Sequence, residues 1–159
     1  NSVRAESALL QPCREWLSTE GYEPHNEVPM GTARVDVLGY RRSTMMGLRP
    51  ERVVAIELKN ERAQLKRGLD QMTTYALYAH ETYLACTPAF AADYLWYHVQ
   101  SRAVQAWDAD LLRKKLESFG FGLLLVEGTQ VYNVIQARRR ACEASKLNEI
   151  KAVIDNGNR

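Results

Sequence analysis

Hydrophobic residues recur with a helical period in two stretches of the chain. Apolar side chains spaced three and four residues apart between Val3 and Glu20 predict an amphipathic helix. Gly21 follows directly and suits the end of a helix. A second stretch with this spacing runs from about Arg62 to His80. Further helical patterns are predicted at Asp110 to Phe119 and from Arg138 onward.

Short apolar runs bounded by turn residues predict β-strands between and after these helices. The predicted extended segments are a segment beginning at Glu27–Val28, then Thr32–Tyr40, Arg52–Lys59, Tyr83–Cys86, Gly122–Val126 and Gln130–Ile135. The last two either complete the sheet or form an edge for dimerisation. Helices that alternate with strands in this order predict one α/β domain over residues 1–159, with a mixed central sheet and helices packed on it.

Charged residues stand inside two of the predicted strands. Asp36 lies between Val35 and Val37, and Glu57 and Lys59 end an otherwise apolar run. Burying an isolated charge is costly unless a partner or a metal compensates for it. Because side chains alternate along a strand, Glu57 and Lys59 point to the same face. The pattern therefore indicates a functional site.

Composition narrows the class of protein without indicating an activity. The chain has 159 residues, 46% of them hydrophobic and 25% charged, and its formal net charge is +2. These values are typical of a globular protein and give no polycation argument for nucleic acid. No apolar run approaches the ~20 residues needed to span a bilayer, so no membrane partner is expected. Three widely spaced cysteines form no CxxC pair, which favours a cytoplasmic protein without a zinc site.

A third acidic residue is expected near these charges, and two residues compete for that place. Glu6 follows the apolar stripe of the first helix, in register with Leu10 and Cys13, and should face inward. The alternative explanation for Glu6 is a favourable interaction with the N-terminal end of the helix dipole. Glu27, in the first extended segment, is the alternative.

Metal-assisted hydrolysis of a phosphodiester is the chemistry that needs such groups. Carboxylates brought together, such as Asp36 and Glu57, repel by roughly 4 kcal/mol at an effective dielectric near 20. Mg²⁺ removes that repulsion and needs only one or two carboxylates, with the Leu58 carbonyl as a further ligand. Lys59 would orient the attacking water and stabilise charge on the phosphate.

This pattern resembles the PD-(D/E)xK nuclease superfamily, which has the restriction-endonuclease-like fold. Asp36 matches the motif aspartate, Glu57-Leu58-Lys59 matches the (D/E)xK triplet, and Glu6 matches an acid that several branches carry on the first helix. Val35 replaces the motif proline, at a position that varies in the family. The resemblance implies a core of helix, three-stranded meander, helix and strand over about residues 2–90. Residues 91–159 form an unmatched α/β extension.

A second motif indicates a branch of that superfamily. Residues Gln71 to Tyr75 fit the QxxxY motif of RecB-like nucleases, which implies that Gln71 and Tyr75 contact the substrate strand. Lys66 and Arg34 would supply supporting positive charge. Gly68, in mid-helix at a cost of about 1 kcal/mol against Ala, would let DNA or the sheet approach closely.

The resemblance implies a Mg²⁺-dependent DNA nuclease, with Mn²⁺ as a substitute, acting in DNA repair, restriction or phage DNA processing. DNA is then the partner, and a second copy of the chain, a helicase or a specificity subunit would complete the machine. The alternative is a catalytically inactive module that keeps the fold and serves nucleic-acid binding or assembly in a larger complex.

Overall fold

The structure, a computed structural model, describes residues 2–44, 46–60, 65–92 and 114–157. Its elements are α1 (Ser2–Thr19), β1 (Glu23–Met30), β2 (Ala33–Arg41), β3 (Arg52–Leu58), α2 (Leu65–Tyr75), β4 (Glu81–Cys86), α3 (Pro88–Ala92), β5 (Gly122–Glu127), β6 (Gln130–Ile135) and α4 (Ala144–Gly157). Residues 114–119 are also helical. The starts of the two helices predicted at Arg62 and Asp110 lie outside the described residues. None of the helices in the described ranges is long and apolar enough to cross a membrane.

The six strands form one mixed sheet in the order β1-β2-β3-β4-β5-β6. Strands β1 to β3 form an antiparallel meander, β4 and β5 run parallel to β3, and β6 is antiparallel to β5. This confirms the predicted α/β class with a mixed sheet. Both C-terminal strands pair within the sheet, and β6 lies at its edge.

Helices cover both faces of the sheet, so the central strands are buried on both sides. On one face α1 packs Leu9, Cys13 and Leu17 against β3 and its neighbours. On the other face, α2 and α4 pack against the sheet through residues such as Met72 and Ile150. Burial on both faces explains why β3 reads as a continuous apolar run rather than an alternating one.

Strand β1 begins at Glu23, four residues before the predicted start at Glu27. Pro24 and Pro29 weaken its strand signal in the sequence. Both prolines are tolerated because β1 lies at the edge of the sheet and pairs only with β2.

The helix predicted from Arg138 onward begins only at Ala144. Residues 136–143 are irregular because their backbone groups bond to distant segments. The Arg138 N–H donates to the Gly120 carbonyl oxygen at 2.8 Å, and the Arg140 N–H donates to the His80 carbonyl oxygen at 2.8 Å. These two bonds tie residues 136–143 to the turn before β5 and to the start of β4.

The second helix ends at Tyr75, before the predicted end at His80. The chain turns there so that His80 can join β3. The His80 N–H donates to the Val53 carbonyl oxygen, and the Val53 N–H donates to His80 Nδ1, at 2.8 and 2.9 Å. The His80 side chain therefore continues the hydrogen-bond pattern of the sheet at the point where β4 begins.

Candidate functional site

The candidate site forms where β2 and β3 separate. Their antiparallel pairing includes Val37 opposite Ile56, and the next residues along the two strands are Asp36 and Glu57. Instead of pairing with β2, the Leu58 N–H donates to Asp36 Oδ2 at 2.8 Å. The pairing of β2 with β3 thus brings two carboxylates from different strands to one point, near the C-terminal end of β3.

A cavity of about 390 Å³ opens beside Asp36. It is lined by side chains from α1, β1, β2 and β3, namely Glu6, Ser7, Leu10, Asn26, Glu27, Asp36 and Leu58. Both residues proposed as the third acid therefore line the same cavity as Asp36. Glu27 lies opposite Asp36 in the β1–β2 register and has a φ of 49°, which non-glycine residues adopt infrequently.

Glu57 is almost completely buried, with 2% of its surface exposed. Its Oε1 lies 3.4 Å from Lys59 Nζ, and its Oε2 lies 2.5 Å from the Tyr75 hydroxyl oxygen. Burial and then the negative charge of Asp36 raise the pKa of Glu57 to about 8, against the opposing effects of Tyr75 and Lys59. In the folded protein this carboxyl is therefore harder to ionise than an exposed glutamate.

The pKa of Asp36 is raised as well, again mainly by burial. Burial raises the pKa of Asp36, and the charge of Glu27 acts in the same direction. The Leu58 N–H, the positive charge of Lys59 and a hydrogen bond with Glu57 lower it. Two acids in contact within a buried site titrate as a pair, and a divalent cation would stabilise the form in which both are ionised.

Lys59 reaches Glu57 because α2 has no side chain in its path. The side chain is 7% exposed and runs beneath Gly68. A Cβ added to Gly68 would lie 2.8 Å from Lys59 Cε, closer than a real Cβ contact allows. The close approach that Gly68 suggested in the sequence is therefore made by Lys59, the residue that follows β3.

Tyr75 corrects one prediction. We expected it to contact the substrate, but its side chain is fully buried. Its hydroxyl lies 2.5 Å from Glu57 Oε2 and 3.0 Å from the Arg34 carbonyl oxygen. The Tyr75 hydroxyl therefore positions the carboxylate of Glu57 from the interior of the protein. A strand in solvent could not contact this buried side chain.

The other predicted substrate contacts lie nearer the surface. Gln71 is partly exposed on the turn of α2 before Tyr75, and the side chains of Lys66 and Arg34 are exposed. These three side chains are accessible from solvent. Arg34 also contributes through its backbone, because its carbonyl oxygen accepts a hydrogen bond from the Tyr75 hydroxyl.

The donor set predicted for a metal ion consists of Asp36, Glu57 and the backbone carbonyl of Leu58. Among the described residues, no three His, Cys, Asp or Glu side chains are arranged to hold a metal ion. Neither Glu6 nor Glu27 therefore completes a ligand set with the other two acids. Two neighbouring carboxyl groups nevertheless fit the oxygen donors that Mg²⁺ prefers, since it needs one or two carboxylates and keeps several waters.

Comparison with known proteins adds a likeness of fold. No family model and no curated protein matches the chain. Among solved structures, the chain is similar to the SPO1766 protein of unknown function from Silicibacter pomeroyi, with a TM-score of 0.66 and 16% identity. The alignment covers 97% of this chain and 86% of that chain. At this identity the two proteins share an α/β fold, and the likeness extends no further.

Proposed function

We propose that this chain is a metal-dependent DNA nuclease with a restriction-endonuclease-like core. One observation carries the proposal. Asp36, Glu57 and Lys59 converge where β2 and β3 separate, with the lysine ammonium 3.4 Å from the glutamate. Glu57 and Lys59 are 2% and 7% exposed, which excludes an ordinary solvated ion pair at a strand end.

Each residue of the cluster has a role in hydrolysis of a phosphodiester. Asp36, Glu57 and the Leu58 carbonyl would hold Mg²⁺, or Mn²⁺ in its place. The bound cation would acidify a water molecule and offset charge on the phosphoryl group. Lys59, held against Glu57, orients that water and stabilises negative charge as it develops on the phosphate.

Residues around the cluster support these roles. Tyr75 positions the Glu57 carboxylate through its hydroxyl, and Gly68 leaves the space in which the Lys59 side chain runs. Gln71, Lys66 and Arg34 lie at or near the surface on α2 and β2, where they would contact the DNA strand.

The decisive experiment is calorimetric titration of Mg²⁺ and Mn²⁺, with plasmid and single-strand cleavage measured on the same samples. Asp36→Asn and Glu57→Gln remove charge while keeping the shape of each side chain. In Asp36→Asn the amide oxygen can still accept the Leu58 N–H. We expect both variants to lose metal binding and to cleave roughly 10²–10³ times more slowly.

Glu149→Gln is the matched control, because Glu149 is an exposed acid on α4. It should bind metal and cleave DNA like the original chain. Cleavage at the original rate by Asp36→Asn and Glu57→Gln would refute the nuclease proposal. Nucleic-acid binding with neither metal binding nor cleavage would assign the chain to the alternative class, an inactive binding or assembly module.

A further inference from the structure

A second cavity, of about 320 Å³, lies at the other end of β3. It reaches Val54 near the start of β3 and Glu81 at the start of β4, whereas the carboxylate cavity reaches Leu58. Val54 and Leu58 are four residues apart, or about 13 Å along a strand. The two cavities share no lining residue, so the second is a separate site.

Two arginines line this cavity, and one of them has a donor without an acceptor. Arg41 and Arg139 line it, and Arg52 lies close enough that their positive charges, after burial, lower its pKa. The Nε atoms of Arg41 and Arg52 are buried and have no hydrogen-bond partner within the described ranges. A buried guanidinium donor without an acceptor is costly, and an anion in the cavity would remove that cost for Arg41, which lines it.

The acidic residues of the cavity do not neutralise these arginines by direct pairing. Glu81 is 7% exposed, and its Oε1 accepts a hydrogen bond from Gln136 Nε2 at 2.8 Å. The Tyr83 hydroxyl lies 3.4 Å from the same oxygen. Glu20 lies exposed at the rim. In the part of the chain that the structure describes, none of the three arginines forms an ion pair with either acid.

Aromatic and amide groups form the rest of the wall. Trp16 and Tyr22 line the cavity, and the Arg41 guanidinium lies 5.4 Å from the centre of the Tyr22 ring. Asn133 donates to Gln136 Oε1 at 2.9 Å, which orients that amide. Aromatic rings stack on bases, and amide and carboxylate groups bond to base edges.

We propose that this cavity binds one nucleotide unit, with its phosphate on Arg41 and Arg139 and its base against Trp16 and Tyr22. The Glu81 carboxylate accepts an N–H of the base edge. The unit belongs either to a free nucleotide or to a nucleic-acid strand, since both present the same phosphate and base. The site requires no metal and does not depend on cleavage at Asp36 and Glu57.

The test is calorimetric titration of the full chain in EDTA. Inorganic phosphate, nucleoside 5′-monophosphates and a short single-stranded oligodeoxynucleotide are the probes. Arg139→Gln removes one lining arginine at an exposed position, and Arg138→Gln changes its exposed neighbour, which bonds to the Glu117 carbonyl outside the cavity. We expect Arg139→Gln to weaken nucleotide binding at least about tenfold and Arg138→Gln to bind like the original chain.

The probes distinguish the two sources of the nucleotide. Arg139-dependent binding of a monophosphate supports a free nucleotide, and Arg139-dependent binding of the oligonucleotide alone supports a strand. Binding of inorganic phosphate as tight as that of the nucleotides would overturn the role of the aromatic wall. Absence of saturable binding, or equal binding by both variants, would overturn the site. Because EDTA prevents metal-dependent cleavage, either result is independent of the nuclease proposal.

Discussion

At the scale of single residues, the position of the Lys59 ammonium depends on the absence of a side chain at Gly68. In Gly68→Ala the added Cβ would lie 2.8 Å from Lys59 Cε. The flexible lysine stem can move aside, and alanine favours the helix by about 1 kcal/mol. We therefore expect stability to be kept while cleavage falls roughly 10²-fold, because the ammonium is displaced. Thermal unfolding and cleavage rates on one preparation measure both.

Gly157→Ala is the control for this change, because an added Cβ there meets no atom within 4 Å. It should leave the cleavage rate unchanged, and, because Gly157 ends α4, it should raise stability by no more than about 1 kcal/mol. If Gly68→Ala cleaves DNA as fast as the original chain, Lys59 does not act from the position that the structure gives it.

The pKa of Glu57 makes a second prediction at this scale. Its pKa rises from 4.5 to about 8 on folding. Between these values the folded metal-free protein binds a proton that the unfolded chain has released, so stability falls as pH rises. Thermal unfolding in EDTA from about pH 5 to 8 should show a falling midpoint in the original chain. The decrease of the midpoint with pH should be smaller in Glu57→Gln. An equal decrease would show that Glu57 does not cause the pH dependence.

At the scale of elements, the distance between α1 and the sheet depends on Gly39 in β2. A Cβ there would lie 2.7 Å from Leu17 Cδ2 and 3.0 Å from Tyr22 Cβ. Leu17 is fully buried, so it cannot move aside as the lysine can. We expect Gly39→Ala to cost about 1–3 kcal/mol in the free energy of unfolding. Denaturant titration measures this, and an unchanged midpoint would contradict the close packing of α1.

The two glycine substitutions separate positioning from packing. Both place a methyl group within 3 Å of a neighbouring side chain. The neighbour of Gly68 belongs to the candidate site, and the neighbour of Gly39 belongs to the core on the α1 face. Loss of cleavage should therefore dominate in the first variant, and loss of stability in the second.

At the scale of the whole molecule, metal binding and folding should be linked. Asp36 and Glu57 come from different strands, so the unfolded chain does not hold them together. A ligand that binds only the folded state stabilises it by about 2.7 kcal/mol at 100 times its Kd. We expect Mg²⁺ to raise the unfolding midpoint of the original chain and of Glu149→Gln, but not that of Asp36→Asn. A rise of the same size in Asp36→Asn would place the metal elsewhere.

The sequence by itself determined the α/β class and the order of the elements, and it predicted the residues of the candidate site. The period of the hydrophobic residues and the positions of turn residues are local signals in the sequence. They indicate the elements here because the central strands are buried and α1 is amphipathic. Asp36, Glu57 and Lys59 were identifiable because charge inside an apolar strand is costly and therefore informative. Gly68 was identifiable for a similar reason, since glycine in mid-helix is unfavourable.

The tertiary structure alone decided which groups meet across the chain. Sequence spacing placed Tyr75 beside Gln71, but only the packing of α2 on the sheet turned its hydroxyl to Glu57. The irregular segment at residues 136–143 exists because its N–H groups bond to segments far away in the sequence. The arginine-lined cavity joins α1, β2, β4 and the segment after β6, and no local pattern connects them. Contacts between distant segments form only when the sheet is assembled, so periodicity and propensity do not reveal them.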